Sequence, residues 1–598
     1  MTLRKTISLL STVLLVMAIA ACSSNNNNNN AASSSAPPAS SSEASESASP
    51  SESAKPQDEI TLDVFSMLAN FSGEQTGWFA KVVKDKFNIN LNIISSNLEG
   101  GGDVKWAQMM AGGDLGDLVV FGDDGAKFQD AIKAGMIIDW TKDGLLDQYG
   151  QNLLKYAPKA LEKNKKNFGG GTAIYGIGND VGDDKPGPSE GKELNYHPNL
   201  RWDLYTQIGR PEIKTMEDYL PVLKKMQELN PKSDSGRPTY AFSLWGDWDG
   251  NMMVLAKSWA ALHGFDESDG FAQGGFTLIS ADTDETQGIL DEDGYYIRAL
   301  KLYYDANKMG LVDPDSPTQK FDDYVNKMKD GQLLFSMFSW GDDAYNTAEH
   351  LAEGKGLEMV PFGEERNYSY GYDPYGSNRV WAIGSKAEHP ERVMQFLDWL
   401  YSPEGRMVAD NGPEGLMWEI KDGKQALTEL GVQTLPAGET PIPDEFGGGN
   451  WKDGRDQINN TTFKTSSINP ITGEPYDYNL WSSTLAKAPD KLHEDWAAAM
   501  GAPTPKAWLE KNGKLAVMKP LFTGTPPESY PADLEQKKGQ VATVIKQYSW
   551  KMIFAKNEGE FDKLKKEMID KAKGLGYDEV LAWNIEQNKK TFEYRKNS

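Results

Sequence analysis

Apolar and polar positions along this 598-residue chain follow two periods, one of strands and one of helices. Ile60–Phe65 (ITLDVF) alternates and predicts a strand, and Leu91–Ile94 predicts a second. Between them Phe79, Val82, Val83 and Phe87 recur at helical spacing within Trp78–Phe87. Gln108–Gly122 (QMMAGGDLGDLVVFG) reads as a helix end, a glycine turn and a third strand, with Asp123 and Asp124 just past it. Phe128–Trp140 predicts a helix that stops at Gly135. Further on, Leu333–Phe338 is an apolar run without proline that follows a glycine turn. It predicts a short buried strand ending at Ser339, Trp340, Asp342 and Asp343. Strands alternating with helices imply an α/β protein with a largely parallel sheet.

Helix boundaries are legible where capping residues occur. Thr215 with Asp218 forms a capping-box-like start for Met216–Leu229, and Asn230-Pro231 ends it. Pro221 is a misfit there, and should kink that helix or delay its start. Pro390 occupies a favourable first-turn position ahead of Val393, Phe396, Leu397 and Leu400. Phe561–Phe592 is helical in period but broken at Gly574–Gly576, which predicts two helices.

The N-terminus changes the picture of location. Arg4 and Lys5 precede the apolar segment Ile7–Ala21, which is too short to span a membrane by itself. The segment ends Ile19-Ala20-Ala21-Cys22 and so resembles a bacterial lipoprotein signal. That resemblance implies cleavage before Cys22 and a lipid on its sulfur. Cys22 is the one cysteine of the chain, so no disulfide forms within it. Residues 22–57 are Asn, Ser, Ala, Pro and Glu. They bury no apolar surface and predict a disordered tether with a reach of about 35 Å. The expected location is the extracellular face of the cell membrane.

Charge and motif content narrow the chemistry. A net charge of −25 without a basic patch argues against nucleic acid. No G-x-S-x-G elbow, H-E-x-x-H or phosphate-cradling glycine loop occurs, and His493-Glu494-Asp495-Trp496-Ala497 lacks a second histidine. The chain is therefore expected not to be an enzyme, with no catalytic residue, cofactor or metal. The acidic clusters at Asp282–Asp284 and Asp291–Asp293 miss calcium-loop spacing. Aromatics are abundant, with 17 Trp and 24 Tyr, which favours wet recognition surfaces. In open α/β sheets ligands sit beyond the carboxyl ends of strands. That rule selects Asp123 and Asp124 after DLVVFG, Trp245, Asp247 and Trp248 after YAFSLW, and Trp340 and Asp342 after LLFSMF. A flat indole beside hydrogen-bonding groups suits a sugar ring. Each tryptophan taken alone reads equally well as core packing, and Arg379 equally well as half of a structural ion pair.

Several segments, in order, resemble the family-1 extracellular solute-binding proteins of maltose-binding type, including their longer lipoprotein members. They are Ala111–Gly122, Lys133–Thr141, Ile174–Gly178, Leu200–Pro231, Tyr295–Ser316, Gly376–Gly405 and Gly412–Lys424. The similarity runs from about Glu59 to Phe592. It implies a two-lobed periplasmic-binding-protein-like fold with a ligand cleft between lobes. The expected division is an N-terminal lobe of 58–178 and 380–435, a C-terminal lobe of 179–379 and 436–555, and bracing helices over 556–598. Hinges are expected near Gly176–Asn179, Gly376–Trp381 and Leu430–Pro443. The resemblance makes Trp340 a stacking tryptophan and Asp123 a carboxylate that takes sugar hydroxyls. It adds Asn70, Arg379 and Trp418 as ligand contacts. Where some long members carry a calcium loop, this chain has Asn230–Gly236, in which only Asp234 is a ligand type, so that site is expected to be absent. The implied function is capture of an oligosaccharide by a monomer that serves ABC permease subunits and an ATPase. Competing readings are a peptide or acidic-oligosaccharide binder, a surface glycoside-active enzyme, and a structural surface protein.

Overall fold

The alternating run near the start folds as the strand Ile60–Ser66, paired in parallel with Ile89–Ser95 on one side and Leu118–Val120 on the other. The structure is a computed structural model. It describes residues 57–598 apart from 70, 96–101, 180, 183–193, 267–274, 284, 370–374, 377, 436–439, 457–462, 464–465, 487–488, 519–529 and 597–598. The expected signal segment, Cys22 and Asn70 lie outside the described residues.

Antiparallel strands complete this first sheet at both sides. Gly73–Glu74 pairs with Ile89–Ser95, while Asn378–Ile383 pairs with Leu118–Val120 and then with Ile177–Asn179. Both faces are buried. Leu62, Val64, Leu118, Val120, Trp381 and Ile383 point into one core, and Phe65, Val119, Val380 and Ala382 into another. A strand covered on both sides needs no polar face, which explains the unbroken apolar run LVVF.

The second lobe has its own core and a different ladder. Tyr196–Arg201 lies between Phe335–Phe338 and Leu357–Met359, antiparallel to both. The expected strand Leu333–Phe338 is thus shorter, and it is not in a parallel ladder. Its leading residue Leu333 does make a parallel bridge to Tyr240, and Phe242 makes another to Val312. The extended segment around Tyr240–Trp245 therefore runs the same way as Leu333–Phe338 and ends at the same side. Pro221 delays its helix as expected. A 3-10 turn, Met216–Asp218, carries the Thr215/Asp218 capping box, and the α-helix begins only at Tyr219.

Core membership corrects the expected domain division in two places. Ile442, Trp451, Phe463, Tyr476 and Trp481 pack in the first lobe, so residues of 436–485 belong there and not to the C-terminal lobe. The third passage between cores accordingly lies between Trp481 and Leu492, not at Leu430–Pro443. The helices Glu558–Gly574 and Tyr577–Lys596 break where the sequence says, at Leu575 and Gly576. Their described core residues, Phe561, Met568, Ala572, Tyr577 and Val580, pack only into the second lobe, and so do not brace the two. They form a bundle with Ala532–Ile553, and Tyr577 Oη accepts the Leu290 N–H at 3.1 Å.

Glu365 is an uncompensated carboxyl in that second core. It is 2% exposed, one oxygen accepts the Phe362 N–H at 3.3 Å, and the other has no hydrogen-bond partner. Burial pushes its pKa up to about 8, against which the Phe362 bond and Lys514 work only partly. The folded protein then holds a proton that the unfolded chain releases above its ordinary carboxylate pKa. Stability from this proton is full at acid pH and falls by about 1.4 kcal/mol per pH unit until pH passes 8. Glu365→Gln is expected to remove this slope, so that the melting-temperature gap favouring the variant widens from pH 5 to pH 8. Parallel pH profiles for the two proteins would contradict the assignment.

Candidate functional site

At the shared ends of the Tyr240–Trp245 and Leu333–Phe338 segments, the second lobe presents a two-tryptophan platform. The face of Trp340 lies on Phe338, with centroids 4.9 Å apart and planes at 28°. Trp248 lies on Phe321 at 4.3 Å and reaches Trp340 at 5.9 Å. Trp245 sits beneath them, 1% exposed, edge-on to Trp248 at 5.4 Å and against Tyr324 at 4.4 Å. Trp248 and Trp340 keep 42% and 38% of their surface in solvent. The strand-end rule thus leads to two exposed indoles, while Trp245 takes the core role that each tryptophan alone equally allowed. Exposed Asp247 accepts the Phe321 N–H at 3.3 Å and ties the loop to the helix Phe321–Lys329. Phe321 was not singled out from the sequence. Its signal was the spacing of Phe321, Tyr324 and Met328 at the head of that helix.

The first lobe presents a polar lip where Leu118–Val120 ends. Arg379 N–H donates to Gly122 O at 2.8 Å, which places Arg379 beside Asp123. Arg379 sits at an irregularity in the Asn378–Ile383 pairing, with φ at +48°, a conformation disfavoured for a side chain of this kind. A strained residue at a strand end is a feature of ligand sites. Asp123 is exposed to water yet crowded by surrounding protein. Burial of its carboxyl pushes its pKa above the ordinary range, and Asp124 adds to this. One Asp123 oxygen accepts the Gly125 N–H at 2.8 Å. Asp124 is paired with the buried Lys163 at 2.9 Å, so its charge is matched within the protein.

The remaining expectations are corrected by burial. Asp342 points behind the second sheet, 5% exposed, and accepts from Asn199 Nδ2. Burial, with Glu358 and Asp343 adding to it, holds its pKa well above the carboxylate range. It is no sugar-facing carboxylate: the 3-10 segment Ser339–Ala344, which holds both Trp340 and Asp342, turns it inward. Trp418 is 7% exposed, donates to Gly412 O at 2.8 Å and packs edge-on against Trp481. Arg201 is buried, bonded to Asp203 through two nitrogens, and lies over the Tyr345 ring at 4.4 Å. The histidine of the incomplete H-E-x-x-H pattern is structural. Burial opposes its charge, but His493 bonds Asp490 at 2.6 Å and lies 3.3 Å from Glu358, which together raise its pKa to about 10. Among the described residues, no group of three or more His, Cys, Asp or Glu is gathered to hold a metal ion. The Asn230–Gly236 turn is closed instead by Asp330, which accepts from the Ser233 and Ser235 hydroxyls at 2.8 Å each.

Comparison with known proteins bears on this geometry. The model of a family described as bacterial extracellular solute-binding protein matches residues 72–407. Lipoprotein LipO of Bacillus subtilis (strain 168) is 23% identical over 344 residues, or 55% of this chain. The match spans 62% of that curated relative, less than two thirds of its length. Among solved structures, the alginate-binding protein AlgQ2 without calcium ion is similar with a TM-score of 0.60 at 17% identity, over 90% of this chain and all of that one. The Streptococcus pneumoniae ABC-transporter substrate-binding protein FusA, in complex with kestose, has a TM-score of 0.56 at 16% identity over the same shares. The N-glycan transport solute-binding protein NgtS of the same organism, in complex with Man1GlcNAc, scores 0.51 at 15%, again over the same shares. At these identities the likeness is one of fold.

The ring geometry separates surface from core in a measurable way. Trp248→Ala and Trp340→Ala are each expected to change unfolding free energy by no more than about 1 kcal/mol, because much of each ring is already in water. Trp245→Ala removes a buried indole and is expected to cost about 3–5 kcal/mol. Chemical denaturation monitored by far-UV circular dichroism reads all three. Equal losses would mean that the platform is itself part of the core.

Proposed function

The chain belongs to the bacterial extracellular solute-binding protein family, and we propose that it captures an oligosaccharide and delivers it to an ABC importer. The observation that carries this reading is the pair of exposed indoles, Trp248 and Trp340, supported from beneath by Phe321 and Phe338. Sugar C–H faces lie on the rings. Asp247 from the second lobe, with Asp123 and Arg379 from the first, takes hydroxyls. Closure about the passages between lobes brings the two sets to one ligand, and ligand shifts the population toward the closed form. A lipid on Cys22 holds the protein at the extracellular face. Three fold relatives, in complex with or named for alginate, kestose and a Man1GlcNAc glycan, support a carbohydrate ligand.

Covering roughly 60 Å² of apolar face contributes on the order of 1.5 kcal/mol per ring. Two rings thus supply about 3 kcal/mol towards the ~8 kcal/mol of micromolar binding, and charge-assisted hydrogen bonds are needed for the rest. Charge favours a neutral ligand. Arg201 is engaged with Asp203 and Lys163 with Asp124, and the chain as a whole carries a net charge of −25. Arg379 is the observation that favours the second reading, an acidic sugar chain.

Titration calorimetry with neutral oligosaccharides, uronate oligomers and peptides tests this. A neutral oligosaccharide is expected to bind at micromolar affinity or better, and Trp340→Ala to weaken it about tenfold. Uronate binding lost in Arg379→Ala would establish the second reading. Peptide binding with no sugar bound would refute both. Cys22→Ala is expected to move the protein from the membrane fraction to the medium.

A further inference from the structure

The loop that carries Trp248 is held from behind by a helix far away in sequence. Asp249 Oδ2 accepts the Trp550 Nε1–H at 2.8 Å, while its Oδ1 accepts the Val254 N–H at 2.9 Å. The backbone of Gly246 lies so close to the same indole that a Cβ there would meet Trp550 at 3.3 Å. One residue along the helix, Ser549 shares a 2.7 Å hydrogen bond with Tyr296 Oη, which accepts the Met253 N–H at 3.0 Å. Asp249 directly, and Met253 through Tyr296, are thus tied to adjacent residues of Ala532–Ile553, Trp550 and Ser549. The loop segment between Gly246 and Met253 has no regular structure of its own apart from turns. Without the fastening, the Trp248 ring would depend for its orientation on its ring contacts with Trp245, Phe321 and Trp340. Ala532–Ile553 also lies outside the stretch matched by the family model, 72–407.

We propose that this C-terminal helix is part of the ligand-binding apparatus, with Trp550 as a positioning residue that acts through Asp249 to fix the stacking angle of Trp248. The inference rests on the reading of Trp248 as a sugar-stacking residue. Trp550 touches no ligand. Its indole N–H sets the loop, and the loop sets the ring. A binding face immobilised in advance loses less conformational freedom when ligand arrives, so the fastening appears as affinity.

Trp550→Phe keeps the ring packing and removes only the N–H donor. Trp583→Phe is the control, in the same helical bundle and stacked on Tyr530 at 4.1 Å. Two readouts are taken on the full chain. In hydrogen exchange without ligand, Trp550→Phe is expected to speed the amides of 246–252 roughly tenfold, and the control to leave them unchanged. In calorimetry against the oligosaccharide that binds best to the unsubstituted protein, Trp550→Phe is expected to bind about tenfold more weakly at an unchanged melting temperature. Unchanged exchange would overturn the fastening. Faster exchange with unchanged affinity would overturn its role in binding while leaving the proposed function intact. If Trp340→Ala binds sugar like the unsubstituted protein, or no oligosaccharide binds at all, the underlying reading fails and this one with it, whatever the exchange shows.

Discussion

A tryptophan that offers one face to a ligand must hold the other face still. The proposed stacking residues Trp248 and Trp340 meet this by resting on a second layer of rings, Phe321 and Phe338, which rests on a third, Trp245 and Tyr324. The lower layers are buried or partly buried, and they bear the cost of order through ordinary core packing. The top layer then stays in water without collapsing onto its neighbours, because the space beneath is filled. An indole has only two side-chain torsions to fix, so a rigid support beneath it yields a preorganised surface at small entropic cost. The site therefore depends on the packing density of the second core more than on any single polar contact.

Charge is distributed in keeping with this. The ionisable groups behind the second sheet are paired with one another or shifted by burial. His493 lies between Asp490 and Glu358, Arg201 is forked onto Asp203, and burial holds the pKa of Asp342 well above the carboxylate range. A buried charge left unpaired is costly, so these groups serve the interior and are withdrawn from recognition. At the first-lobe lip the protein spends strain instead, holding Arg379 at a positive φ beside Gly122. The interior groups are thus fixed by one another, while the proposed contact at the lip is marked by backbone strain.

The first sheet was legible because its signals are local. Alternation in ITLDVF, the glycine turn before LVVF and Pro390 at a helix start each specify geometry within a few residues. The ends of strands were legible too, and with them the positions of Trp248, Trp340 and Asp123. Which side chains at those ends face water was not. Trp245 and Trp248 stand three residues apart, and Trp340 and Asp342 two apart. Whether the chain leaves a strand as a turn or as a 3-10 segment decides which member of each pair turns inward. That choice is made by tertiary packing and leaves no mark on composition. Trp418 was misread for the same reason, since its burial depends on Trp481, distant in sequence. The allocation of 436–485 failed because its apolar residues are sparse and aperiodic, so nothing local says which core receives Trp451 or Trp481.

The placement of the C-terminal helices is one that a protein closing as proposed above can tolerate. Apolar surface shared between two lobes must be exposed each time they part, at roughly 25 cal/mol per Å². A bracing pair of helices that buried a few hundred Å² on each lobe would oppose opening by several kcal/mol. That is comparable to the whole binding energy of a micromolar ligand. Helices committed to one lobe carry no such penalty. Packed on the second core alone, they add buried surface to the half that holds the aromatic platform, and their polar side chains reach the loop at its edge. Under the proposed function, the extra length of the chain stiffens the receiving surface and leaves the closing motion unopposed.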